Sequence, residues 1–338
     1  MKSIEIGETV VENVILHQIG NRLREEPLIL AVQCFDITES IANLILGGYL
    51  RGIVSDKNQY MLTHESDMVL NDVAHHVSSF FSRKISFIEL SRNLAAHLYA
   101  SAHHPNIASG DLFVILFDKL KLDGKYKSAI GVYKAESKQQ YISTRANGEN
   151  RQLEVSSGIN PDLIDKGVLI VEDSEIVYAI DRLSSRTKYW IEDFLKAKQV
   201  PNENTKTAVA AGLIEKVRDN IESPVARQDF CREVIALCED RDEVPSDEIR
   251  TVSEKYVSPE IWGTELARIT ERKGLVDTGE INVPTRNLQT KLKKMFNRIN
   301  LGQDIGLILP DNLSFNNANF TDDEETIQIS ITLEKKNG

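Results

Sequence analysis

Residues 285–300 hold five cations, Arg286, Lys291, Lys293, Lys294 and Arg298, and no acid. Leu288, Leu292, Met295 and Ile299 recur there at helical spacing, which predicts a helix that docks by its apolar side. The opposite side then offers a row of cations to phosphates, and each phosphate neutralised would steepen the salt dependence of binding. The plainer alternative is a solvated helix whose cations meet acids of a neighbouring segment. A second, weaker surplus lies in residues 119–151, with 8 bases and 3 acids. Within it, Lys119, Lys121, Lys125 and Lys127 surround an Asp123-Gly124 turn. A lysine-rich hairpin tip can touch a phosphate backbone, although lysines also keep sheet edges from aggregating. These nine side chains are the candidate DNA contacts.

Other chemistries find less support. Six of the seven histidines, His64, His75, His76, His97, His103 and His104, fall within 41 residues, which invites a metal reading. No HExxH, HxxxH or nearby cysteine pair accompanies them, so capping and surface roles are expected. Cys34, Cys231 and Cys238 are sparse for the length, as suits a reducing cytoplasm; the last two share the apolar face of an expected helix. Pro161-Asp162 followed by Asp165-Lys166 hints at nuclease carboxylates, but the acids are too close in sequence to sit on two strands of a hairpin. The phosphate-cradling GxxxxGK[ST], the GxSxG elbow and GxGxxG are all missing. No catalytic residue, metal ligand or cofactor is therefore expected.

The chain has 338 residues, with 40 Lys+Arg against 51 Asp+Glu, a formal net charge of −11. That excludes a small basic protein coating nucleic acid with its whole surface, but permits a local basic face. The opening residues lack the basic and apolar runs of a signal peptide, and the apolar stretches are short of a membrane span. A cytoplasmic protein without a membrane partner is expected.

Three blocks must position these residues. Residues 1–182 mix helices and strands. Helical spacing is seen in 65–81 and from Ser86 onward, where Ser86 and Glu89 form a capping box. Strands are predicted at 9–17, 111–117, 129–133, 140–143, 168–172 and 176–180, joined by connections short enough to imply an antiparallel meander. Residues 183–280 read as an acidic helical domain: between 222 and 280 there are 15 acids and 8 bases. Ser223-Pro224 and Ser258-Pro259 are good helix starts. Residues 281–338 combine the basic helix with strands at 305–309 and 326–333, the latter alternating Ile327, Ile329, Ile331 and Leu333 with polar residues. No internal repeat is evident. The expected class is α+β: an antiparallel sheet with flanking helices, a central helical domain and a small C-terminal helix-plus-strands unit.

With these segments placed, the chain resembles the bacterial nucleoid-associated protein family, the NdpA-like or YejK-like group. The likeness is carried by Val14-Ile15-Leu16-His17-Gln18-Ile19, then Ser109-Gly110-Asp111-Leu112-Phe113-Val114-Ile115-Leu116-Phe117 with Ile130-Gly131-Val132-Tyr133-Lys134. Gly158-Ile159-Asn160-Pro161, Tyr189-Trp190-Ile191-Glu192-Asp193-Phe194-Leu195 and Asn204-Thr205-Lys206-Thr207 follow, before the closing helix and strand. The resemblance implies a nucleoid-localised protein that associates with bacterial DNA and has no known catalytic centre. It assigns no binding residues. The leading expectation is a non-catalytic protein binding duplex DNA through backbone contacts with little sequence preference. The alternatives are a scaffold acting through protein partners, with the acidic block as docking surface, and a metal-dependent hydrolase using the His-rich helices. A homo-oligomer is left open.

Overall fold

The computed structural model describes residues 4–147, 150–182, 188–276, 279–296, 298–302, 305–308, 313–322 and 327–335. The chain folds as two compact units, Met1–Val200 and Pro201–Gly338. The boundaries expected at 182 and 280 fall inside these units: Trp190 belongs to the first core, and the basic helix belongs to the same unit as the acidic helices.

The first unit is built on a nine-stranded antiparallel sheet. Its strands are β1 (Ile4–Glu5), β2 (Val10–Ile19), β3 (Leu28–Ile29), β4 (Gln59–Leu62), β5 (Gly110–Leu122), β6 (Lys125–Ala135), β9 (Lys166–Val171), β10 (Ile176–Asp181) and β11 (Ala197–Gln199). Their order is β11-β4-β10-β9-β6-β5-β2-β3, with β1 paired to β5. Two further strands, β7 (Gln139–Asn147) and β8 (Asn150–Gly158), pair only with each other. Residues 140–143 thus leave the meander expected of them: they belong to a separate ribbon that departs after β6 and returns before β9.

The central strands are near-continuous apolar runs because both faces of the sheet are covered. Leu112 and Val114 face one core with Ile130, Val132, Val168 and Ile170; Ile115 and Phe117 face the other with Ala129, Leu169 and Val171. Helices α3 (Asp72–Phe81) and α4 (Phe87–Ala100) cover the first face, as their spacing predicts. The second is covered by an element that the sequence pattern did not reveal: α1 (Glu39–Leu44) and α2 (Arg51–Asp56), joined by a π-helical stretch, Ile45–Leu50. Gly47-Gly48 disguises it as a turn. Gly48 is needed because a Cβ there would lie 2.7 Å from the Pro161 carbonyl. At the far end of β5 and β6, Asp123 and Gly124 both take positive φ, the conformation required by a type I′ hairpin turn.

Where β6 and β9 separate, the sheet buries charge. Lys134 and Lys166 stand opposite each other in the register, and their side chains are 1% and 0% exposed. The Lys134 ammonium donates to the Ala108 carbonyl at 2.6 Å, to Tyr189 Oη at 2.9 Å and to Glu136 Oε1 at 3.0 Å. Lys166 donates to Asp181 Oδ1 at 2.5 Å. The Tyr189 ring lies 5.2 and 5.0 Å from the two ammonium groups, and its hydroxyl donates to Glu136. Burial lowers the Lys134 pKa, with Glu136 opposing the shift; burial and Glu136 push the Tyr189 hydroxyl well up.

In the second unit, α5 (Glu203–Asn220), α6 (Pro224–Leu237), α7 (Ser246–Ser253), α8 (Pro259–Arg272) and α9 (Thr285–Phe296) enclose a core of Val209, Leu213, Val217, Phe230, Val234, Ile249, Trp262 and Ile269. Ser223 caps α6 by accepting from the Ala226 N–H, and Pro224 opens it. Ribbons of β14 (Arg298–Gly302) with β15 (Ile305–Ile308) and β16 (Leu313–Asp322) with β17 (Ile327–Lys335) complete the unit. The mixture of helices and antiparallel sheets makes the protein α+β.

His17 gives the first unit an acid liability. It is buried in the sheet, its Nδ1 accepts from the Ala31 N–H at 3.0 Å, and burial lowers its pKa to about 4. The unfolded chain, titrating near the ordinary 6.5, binds the proton first, so stability falls as pH drops from about 6.5 towards 4. The full loss is on the order of 3 kcal/mol. Urea midpoints against pH should show this slope in the native chain and a flatter one in His17→Asn, which keeps an acceptor. Equal slopes would exclude His17 as the cause.

Candidate nucleic-acid interface

The basic helix begins where it does because of a short strand pair. In β12 (Glu243–Pro245) and β13 (Asn282–Pro284), Val244 stands opposite Val283, both fully buried. The Ser246 N–H donates to the Ile281 carbonyl at 2.8 Å, and the Thr285 N–H donates to the Asp242 carbonyl at 2.9 Å. This reciprocal exchange relates Val244-Pro245-Ser246 to Val283-Pro284-Thr285, and each strand runs directly into a helix, α7 or α9. The repeat is only three residues long, too short to stand out in the sequence. Thr285 Oγ1 donates to the Arg241 and Asp242 carbonyls, fixing the first turn of α9.

From that start, the helical period sorts the side chains of α9. Leu288 and Leu292 are fully buried in the core of the second unit, with Met295 packed beside them. Gln289 Nε2 donates to the Cys238 carbonyl at 2.6 Å, tying a polar flank to the end of α6. Arg286, Lys291, Lys293 and Lys294 are exposed. None of the four enters an ion pair among the described residues. Neighbouring helices keep several of their charges to themselves: Arg241 pairs with Glu248, Arg250 with Glu254, Lys255 with Glu233 and Arg268 with Glu265. The geometry therefore provides an anchored apolar side and, opposite it, cations that no described acid neutralises, as a polyanion surface requires. Arg298 departs from its expected place. The helix ends at Phe296, and Arg298 opens strand β14 opposite Ile308.

The Lys119–Lys127 cluster is balanced locally. Lys121 lies 3.2 Å from Glu5, and Lys127 lies 2.6 Å from Asp173. Each lysine's pKa is raised first of all by that hydrogen bond. Tyr126 donates to Glu8 at 2.9 Å, adding a third acid at the same end. Lys119 sits with positive φ at the bulge between Phe117 and Leu120, and it and Lys125 are exposed. The sequence did not show that Glu5, Glu8 and Asp173, distant along the chain, would reach this tip.

The remaining candidates have structural work. His97 Nε2 lies 2.9 Å from the Phe194 carbonyl, and His64 and His104 accept backbone N–H groups through Nδ1. Asp165 accepts the Glu136 and Ser137 N–H groups at 2.8 and 2.9 Å, while Lys166 is held by Asp181. Among the described residues, no three His, Cys, Asp or Glu side chains form a group that could hold a metal ion. Burial raises the thiols of Cys231 and Cys238 to about 12 and about 11. Among the described residues no helix is long and apolar enough to cross a membrane.

A family model described as nucleoid-associated protein YejK matches residues 15–337. No curated protein matches the chain at a significant level.

The division of labour along α9 has a stability consequence. Leu288→Ala or Leu292→Ala should destabilise the second unit by about 2–5 kcal/mol, whereas Lys291→Ala or Lys293→Ala should stay within about 0.5 kcal/mol of the native chain. Urea denaturation followed by circular dichroism measures both. A lysine variant as damaging as a leucine variant would mean that the cations serve packing.

Proposed function

We propose, from the premise that this chain belongs to the nucleoid-associated protein YejK family, that it binds duplex DNA electrostatically and without catalysis. The observation that carries the reading is α9, with four exposed cations free of described ion pairs on a helix anchored through Leu288 and Leu292. Arg286, Lys291, Lys293 and Lys294 meet phosphate oxygens, and contacts of that kind position a protein on a duplex without reading its sequence. The β5–β6 tip is a minor contributor, because Lys121 and Lys127 must first leave Glu5 and Asp173. The reading places the protein in the bacterial cytoplasm, on the nucleoid.

A binding isotherm repeated from low to physiological salt tests this directly. The native chain should lose affinity steeply with salt. The variant Lys291→Glu/Lys293→Glu/Lys294→Glu should bind at least about tenfold more weakly, with a slope of log K against log salt shallower by roughly 0.9 for each contact removed. If that variant binds as the native chain does, α9 is not the contact. If the native curve is flat in salt, the electrostatic reading is wrong, and reproducible protein partners in pull-downs would support a scaffold instead.

A further inference from the structure

The ribbon β7–β8 has no role in either core. It pairs with no strand of the main sheet, and a two-stranded hairpin standing alone is at best marginally stable in water. The register sorts its side chains cleanly. Ile142 opposes Val155, Thr144 opposes Leu153 and Ala146 opposes Arg151 on one face. Tyr141, Ser143, Arg145, Gln152 and Glu154 take the other. Ile142, Leu153 and Val155 are 70%, 71% and 72% exposed, so the apolar face is open along its length.

Charge indicates what covers it. The one acid of the described ribbon, Glu154, is on the reverse face, 3.4 Å from Arg145. Among the described residues the apolar face carries a single ionised group, Arg151, which enters no ion pair there. The face therefore presents aliphatic side chains beside a guanidinium unpaired among the described residues, with Gln140 as a flanking hydrogen-bonding group. A second copy of the chain is a poor match: three aliphatic side chains fall well short of the roughly 800 Å² per partner that a stable interface buries. Duplex DNA fits both halves of the surface. Its phosphates take the guanidinium, and its base steps admit apolar side chains inserted from the minor groove.

The root of the ribbon is built to hold it in place. Asp165 accepts the Glu136 and Ser137 N–H groups, Asn160 Nδ2 donates to Gln139 Oε1 at 3.0 Å, and the buried Lys134 and Lys166 lie directly beneath. We infer that β7–β8 is a second DNA contact, an arm that enters the minor groove with Ile142 and Leu153 against the base steps and Arg151 on the backbone, kinking the duplex. The inference rests on the DNA-binding reading above but uses different residues.

A duplex carrying a fluorescence donor and acceptor at its ends separates the two. Titrating the native chain should bring the ends together. The variant Ile142→Ser/Leu153→Ser, whose substitutions are exposed and should leave the circular dichroism unchanged, should still bind but give little or no approach of the ends. Arg151→Ala should bind roughly three- to tenfold more weakly. The triple α9 variant should lose affinity through backbone contacts, irrespective of bending. If the serine variant and Arg151→Ala bind and bend DNA as the native chain does while the α9 variant is impaired, the arm is not a DNA contact and the function stands. If the native chain binds no duplex, both fall. Self-association of the native chain that the serine substitutions abolish, with DNA bending unchanged, would assign the face to a second copy and overturn the proposal.

Discussion

Two ammonium groups buried beside each other govern the arrangement of the first unit. Lys134 and Lys166 face each other at the last register step between β6 and β9, where neither can reach bulk water. Like charges in such a position persist only if each has its own carboxylate and the remaining donors are satisfied. Glu136 and Asp181 supply the carboxylates, the Ala108 carbonyl and Tyr189 hydroxyl accept further hydrogen bonds, and the Tyr189 ring offers its face to both cations. The arrangement draws together the loop before β5, the ends of β6, β9 and β10, and the segment leading into the π-helical stretch Trp190–Phe194. Removing Glu136 or Asp181 would leave a buried ammonium uncompensated, which typically costs about 3–5 kcal/mol. It also fixes the point where the chain leaves the sheet for β7–β8. The same end of the sheet is thus both a stability element and the base of the ribbon.

The buried lysines went unread, but much of the strand and helix pattern around them was legible in the sequence, for a simple reason. Where one periodicity dominates, as in the Leu112–Phe117 run or the Val209, Leu213, Val217 stripe, burial and secondary structure give the same message. The places that were misread or passed over are those where local pattern and tertiary demand diverge. Gly47-Gly48 resembles a turn, yet Gly48 sits within a helical element because Pro161 presses against its backbone. Residues 140–143 have the alternation of a sheet strand, and alternation alone does not say which strand is the neighbour. Asn147-Gly148 flanked by alternating residues was a hairpin signal in its own right. The period that correctly predicted α9 was extended four residues too far, so Arg298 was placed on the helix when it begins a strand.

The candidate site was legible in kind but less so in value. Composition located both cationic clusters, and from Arg286 to Met295 the helix matches its pattern, while Arg298 and Ile299 fall on β14. What one-dimensional counting could not weigh was neutralisation at a distance. Glu5 and Asp173 lie 116 and 46 residues from the lysines they meet, so the β5–β6 tip, four lysines and Asp123, counts as +3 locally and less in space. Such pairs between exposed groups are individually weak. They still lower the net field that an approaching phosphate would feel.

The contrast with α9 explains how a chain of net charge −11 can carry a cationic surface, the one proposed for DNA. In the second unit, bases and acids are often interleaved at three- and four-residue spacing along one helix, as in Arg250 with Asp247 and Glu254, or Arg268 with Glu265. Helical neighbours neutralise each other first, because they are held close whatever the rest of the fold does. Helix α9 has no acid in its own sequence, and Leu288 and Leu292 turn its cations away from the core. Its charge is consequently left over among the described residues, although the unit as a whole is acidic. At physiological ionic strength the Debye length is about 8 Å, so an approaching phosphate responds to the charges within that range and little to the total. The sign of the whole chain therefore says little about α9, and the local arrangement of its four exposed cations decides what it attracts.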